Sequence, residues 1–231
     1  MVNKRILLIL ALIFIYFVCA AEAFAVEGAK VVGKFSLVSG NIKHSRSTDS
    51  GYTEYTPEDA LRLDIEAGDK IATLNDSTCE ILTNYGASVK MICNTQLEMY
   101  YYAIRVNDGG GWVAFNAHKN DKGKYVFKFD MPQVTLGVRG TVFGFFTSQD
   151  ESYVQLTEGL IETKTPKDGK IKILNAGNIL SAKKEESEVF KFEPGFDMIK
   201  YAEGKGNMNE LKRGLKENKG IIDNPWKQIK K

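Results

Sequence analysis

The chain has 231 residues, 43% hydrophobic and 26% charged, a globular composition that excludes a largely disordered protein. Its 31 Lys and Arg nearly balance 29 Asp and Glu, which excludes the strongly basic surface of a nucleic-acid binder. Two histidines and three cysteines are too few and too scattered for a zinc constellation, and no metal or cofactor is expected.

The first 25 residues have the layout of a secretory signal peptide. Lys4 and Arg5 precede the apolar run Ile6 to Val18, and the small-residue sites Ala21-Glu22-Ala23 and Ala23-Phe24-Ala25 follow it. The run is short beside the roughly 20 apolar residues of a spanning helix, so cleavage after Ala23 or Ala25 and a mature chain with no membrane span are expected. Cys19 follows Tyr16-Phe17-Val18, which does not suit a lipobox. The location implied is periplasmic or secreted. Without residues 1–23, 29 basic residues face 28 acidic ones, a net of +1. Residues 24–196 hold 20 basic against 23 acidic and residues 197–231 nine against five, an acidic body with a basic tail.

A β-domain is predicted over residues 32–183, as short apolar or alternating runs broken by turn residues. Strands are expected at Lys34 to Val38, Asn41 to His44, Lys70 to Thr73, Thr78 to Thr83, Val89 to Cys93 and Gln96 to Val106. Further strands follow at Gly111 to Phe115, Lys124 to Phe129, Val134 to Val138, Thr141 to Thr147, Tyr153 to Leu156, Leu160 to Thr163, Ile171 to Leu174 and Ile179 to Ala182. Tyr125, Phe127 and Phe129 share one face of their strand. In the hairpin around Gly86, burying Cys79, Ile81 and Thr83 together with Val89, Met91 and Cys93 places 83 opposite 89, 81 opposite 91 and 79 opposite 93. That register makes Cys79 and Cys93 neighbours, and an exported chain would oxidise them to a disulfide; two separate core thiols are the alternative.

Residues 184–231 read as a charged extension, partly helical or disordered. Gly204 to Asn207 resembles a linker, Asn209 to Lys216 is weakly helical, and Pro225 bars a long helix. Leu211, Leu215, Ile221, Ile222, Trp226 and Ile229 are expected to pack on an open end of the body.

No catalytic site is expected. His44 and His118, the only histidines, lie in polar stretches and read as surface residues. The carboxylate pairs Glu58-Asp59, Asp150-Glu151 and Glu185-Glu186 are chain neighbours, which in extended backbone point to opposite sides. Neither Gly109-Gly110-Gly111 nor Gly137 to Thr141 leads into a helix, as a phosphate loop must. Tyr100 and Tyr102 would share a strand face and pack there.

Pro132 to Phe143, with its core Gly137-Val138-Arg139-Gly140-Thr141-Val142-Phe143, resembles the most recognisable motif of the FecR protein domain. Val38 to Ile42, Ala67 to Thr73, the Cys79 to Cys93 hairpin and Val154 to Ile161 resemble other pieces of that domain in the same order. The resemblance spans about Val32 to Leu180. It implies an all-β, twisted β-solenoid-like or β-sandwich-like FecR-type domain with no catalytic residues, followed here by the short, partly helical tail. The family's best-known members relay a signal from an outer-membrane receptor to a cytoplasmic sigma factor. Only five residues precede the apolar run, so a stand-alone exported domain is expected. Its role would be to bind or scaffold cell-envelope components, protein or glycan. The alternatives are the periplasmic sensor or regulator part of a split FecR-type signalling system, and an enzyme on a β-scaffold. Within the motif, Gly140 is expected to permit a bend and Arg139 to lie deep in the sheet with its charge paired.

Overall fold

The computed structural model describes residues 30–106, 111–117, 127–165, 169, 171–183, 186–192 and 196–205. The expected signal peptide, His118, Gly109, Gly110 and the tail beyond Lys205 lie outside the described residues.

The chain opens with β1 (Val31–Ser39), β2 (Ile42–Ser45), β3 (Thr53–Tyr55), a single helical turn α1 (Pro57–Ala60) and β4 (Asp64–Glu66). There follow β5 (Lys70–Thr73), β6 (Thr78–Thr83), β7 (Ala87–Met91), β8 (Gln96–Met99), β9 (Ala103–Val106), β10 (Gly111–Ala117) and β11 (Phe127–Asp130). The rest are β12 (Thr135–Val138), β13 (Val142–Thr147), β14 (Glu151–Glu158), β15 (Leu160–Lys164), β16 (Ile171–Asn175), β17 (Asn178–Lys183), β18 (Ser187–Lys191) and the helix α2 (Met198–Lys205).

Among the described residues these strands form two nine-stranded sheets. Sheet A runs β18-β17-β14-β13-β10-β7-β6-β1-β4, and sheet B runs β16-β15-β12-β11-β9-β8-β5-β2-β3. The chain crosses repeatedly from one sheet to the other, so both grow side by side almost in chain order. Pairing is antiparallel except between β9 and β11. The all-β expectation therefore holds, with sandwich packing and a solenoid-like advance.

Alternation explains the core. Inward residues such as Ile81, Val89, Phe115, Phe143, Val154, Leu97, Phe129, Leu136, Ile161 and Leu174 are at most 2% exposed. Phe115, Phe129 and Phe143 meet at 4.9–5.3 Å between ring centroids, mostly edge to face, at the middle of the sandwich. At the first end α1 lies against β1 and β3 with Ala60 in the core. Its N-cap Thr56 accepts from Asp59 N, and Pro57 supplies a preset φ at its start.

Sheet A carries a second apolar layer on its outer face. Ile92, Trp112, Phe146, Tyr153 and Ile179 pack there with Met198, Phe190, Phe192, Phe196 and Ile199. Gln155 ties the layer down: its Nε2 donates to Phe196 O at 2.6 Å and its Oε1 accepts from Met198 N at 2.7 Å. Ile199 rests on Gly144, where an added Cβ would collide with Ile199 Cγ1.

The β6–β7 hairpin departs from the expected register. Cys79 opposes Met91 and Ile81 opposes Val89, a two-residue slip. Gly86, at φ +76°, closes the tighter loop Asn84-Tyr85-Gly86, with Gly86 N donating to Thr83 O at 3.0 Å. Cys93 falls beyond β7 and packs on the outer layer, while Cys79 is buried in the central core 3.6 Å from Met91 Sδ. Both cysteines are free thiols, and the expected disulfide is not formed. Burial pushes the Cys79 thiol up to about 12, so its reactive thiolate is suppressed. Under native conditions iodoacetamide should modify Cys93 alone. After denaturation without reductant both should react, and a failure of both to react would restore the disulfide.

Three further expectations are corrected. His44 is 3% exposed, drawn inward by Asp69. Tyr100, Tyr101 and Tyr102 form the turn between β8 and β9 instead of one strand, and Tyr101 packs edge-on and Tyr102 tilted against Tyr85, at 4.9 and 4.6 Å between centroids. Arg139 is exposed on the bend between β12 and β13, with no ion pair among the described residues. A sheet-to-sheet crossover is a corner, and its outward residue meets solvent.

Candidate functional site

The recognisable motif is one such crossover. Leu136 and Val138 point into the core from β12, Gly140 turns the chain at φ +59°, and Phe143 re-enters the core on β13. Thr141 is buried: its carbonyl accepts from Ala117 N at 3.0 Å, and its Oγ1 has no partner among the described residues. The next crossover, Glu158-Gly159-Leu160, stacks directly on it. An added Cβ at Gly159, where φ is +89°, would lie 2.7 Å from Gly140 O and 2.7 Å from Thr141 Cγ2. Gly140 and Thr141 thus lie where two turns pack closely on each other.

A second tie fixes the other end. Asp69 is fully buried, and its Oδ2 accepts from His44 Nε2 at 2.8 Å, Arg46 NH1 at 2.9 Å and Glu66 N at 2.9 Å. Its carbonyl accepts from Met99 N at 2.8 Å. Burial alone would raise the Asp69 pKa, but the His44 and Glu66 hydrogen bonds and the charges of His44 and Arg46 hold it below the usual carboxylate range. The three donors to the carboxylate all meet Oδ2 and come from the chain itself, a structural knot, while Oδ1 is buried with no partner among the described residues.

Gly137 has a different role. On the outer face of sheet B it stands between Lys128 and Glu162, with Ile173 next along the same row. Lacking a side chain, it leaves a groove of about 270 Å³ bordered by Lys128, Thr135, Glu162, Lys164 and Ile171. Beside it three aliphatic side chains face solvent: Leu160 is 45% exposed, Ile171 65% and Ile173 46%. They occupy β15 and β16, and β16 is the edge of the sheet. Clustered exposed aliphatics at an open edge are what a docking surface requires.

The sequence held one sign of this surface. Ile173 and Leu174 are adjacent, and neighbours on a strand face opposite ways, so both cannot enter the core. Leu174 does, opposite Ile161, which sends Ile171 and Ile173 outward.

A larger cavity of about 320 Å³ lies beside α2 on sheet A. Its polar groups are mostly engaged within the chain: Gln155 clamps residues 196–198, Lys90 pairs with Glu203 and Ser88 with Glu80. It offers less to a partner than the open end of sheet B.

No curated protein matches the chain. Two crystal structures of one protein from Parabacteroides distasonis ATCC 8503, whose suggested role is that of an anti-sigma factor, are similar at 15% identity with a TM-score of 0.45. The likeness covers 53% of this chain and 58% of theirs, so the chain spans little more than half their length. Residues 69–162, from the buried Asp69 to the groove-lining Glu162, match the family model described as FecR protein.

Proposed function

We propose that this chain is an exported, non-catalytic β-module that docks a cell-envelope partner on the open end of sheet B. The observation that carries the reading is the cluster of Leu160, Ile171 and Ile173 beside the groove over Gly137. Together they form an apolar centre with a charged rim, the usual anatomy of a protein–protein contact, and favour a protein over a glycan. The FecR-family match favours a partner within a signalling relay, in which this chain is the regulator or sensor component.

A photo-reactive residue placed at Ile173 is expected to trap one envelope protein in living cells. The same probe at Glu54, on the opposite edge of sheet B, should not. The double variant Ile171→Asp, Ile173→Asp should melt like the parent, because both side chains are exposed, and yet lose the cross-linked partner at least tenfold. If probes at Leu160, Ile171 and Ile173 all trap nothing, the docking reading is wrong.

A further inference from the structure

We infer that the partner completes sheet B with an extended acidic strand laid along β16, its alternate aliphatic side chains joining Ile171 and Ile173. This rests on the docking reading above and names the occupant of that surface. β16 has five residues, and no described strand pairs beyond it, so among the described residues its main-chain groups on that side are open to a ladder. An added strand lies about 4.8 Å away and alternates in the same pleat, which sets every second side chain beside the exposed isoleucines.

Charge selects the sign of the strand. Among the described residues Lys128, Lys164 and Lys172 stand at this end against Glu162 and Asp130, which pairs with Lys128 at 2.8 Å, a net positive charge. Lys172 points inward at the edge, its Nζ donating to Ser187 Oγ of β18 at 2.7 Å, where a carboxylate on the added strand would find it. The chain's own residues 206–231 carry seven Lys and Arg against three Asp and Glu, the wrong sign for this edge. A second copy fits poorly too. Antiparallel pairing of β16 with itself about Ile173 sets the two Lys172 residues on one face as diagonal neighbours, about 7–8 Å apart.

The test uses the whole mature chain and two synthetic eight-residue peptides, one alternating valine with glutamate and one alternating valine with lysine. The glutamate peptide should bind at least tenfold more tightly. It should slow amide hydrogen exchange at residues 171–175 about tenfold, and both effects should vanish in Ile173→Asp with its melting temperature unchanged. Equal binding of the two peptides, protection elsewhere than β16, or no protection would overturn the strand assignment. So would a dimer of the chain that Ile173→Asp dissociates. If the peptide fails while the probe at Ile173 still traps its partner, only the strand is wrong; if both fail, the docking surface falls with it.

Discussion

Asp69→Asn is expected to destabilise the protein by about 3–5 kcal/mol at pH 7, the range for removing one member of a buried ion pair. The side chain is fully buried, and a neutral amide there weakens all three bonds that His44 Nε2, Arg46 NH1 and Glu66 N donate to the charged Oδ2. Arg46 is 31% exposed and can turn to water, which places the effect toward the lower figure. Because the folded pKa of Asp69 lies below the unfolded value of about 3.9, its contribution is full above that value and is lost as pH falls through the folded one. Denaturant midpoints should therefore separate parent and variant widely at pH 7 and converge as the pH drops below about 4. Equal midpoints at pH 7 would show that the knot does not hold β2 to the β4–β5 turn.

The second large effect is expected at Gly159. Alanine there must adopt a positive φ and press its Cβ against Gly140 O and Thr141 Cγ2 at 2.7 Å, distances that side chains do not tolerate. Strain and contact together should cost about 3 kcal/mol, which in a protein of this size lowers the melting temperature by roughly 6–12 °C. Arg139→Ala, by contrast, should stay within about 0.5 kcal/mol of the parent, since its side chain is exposed and unpaired among the described residues. Thermal melts of the two variants side by side decide the matter. A normal melt for Gly159→Ala would mean that the two crossovers are not packed as described.

Much of the architecture was readable because turn chemistry marks each crossover. Ser39-Gly40, Gly68-Asp69, Arg139-Gly140 and Glu158-Gly159 all fall where the chain leaves one sheet for the other. Hairpin register was less legible, because alternation is satisfied equally by pairings two residues apart. Only the positive φ of Gly86 chose between them, and with it the fate of Cys79 and Cys93. The burial of His44 depended on Asp69, 25 residues away, and no local pattern shows such a partner. The docking surface was hidden for a related reason: Ile171 and Ile173 look like core residues until Leu174 is known to hold that place.

The paired advance of the two sheets has a consequence for how the domain forms and changes. Each crossover joins segments close along the chain, so each step closes only a short loop, and assembly can proceed as a travelling front. The first end is stoppered by α1. The last is joined across its two edge strands, β16 and β18, by the bond from Lys172 to Ser187. New strand pairs could be appended beyond them by duplication without rethreading any earlier strand, so the fold is extensible in one direction, and the edge open to a partner is also the edge open to growth.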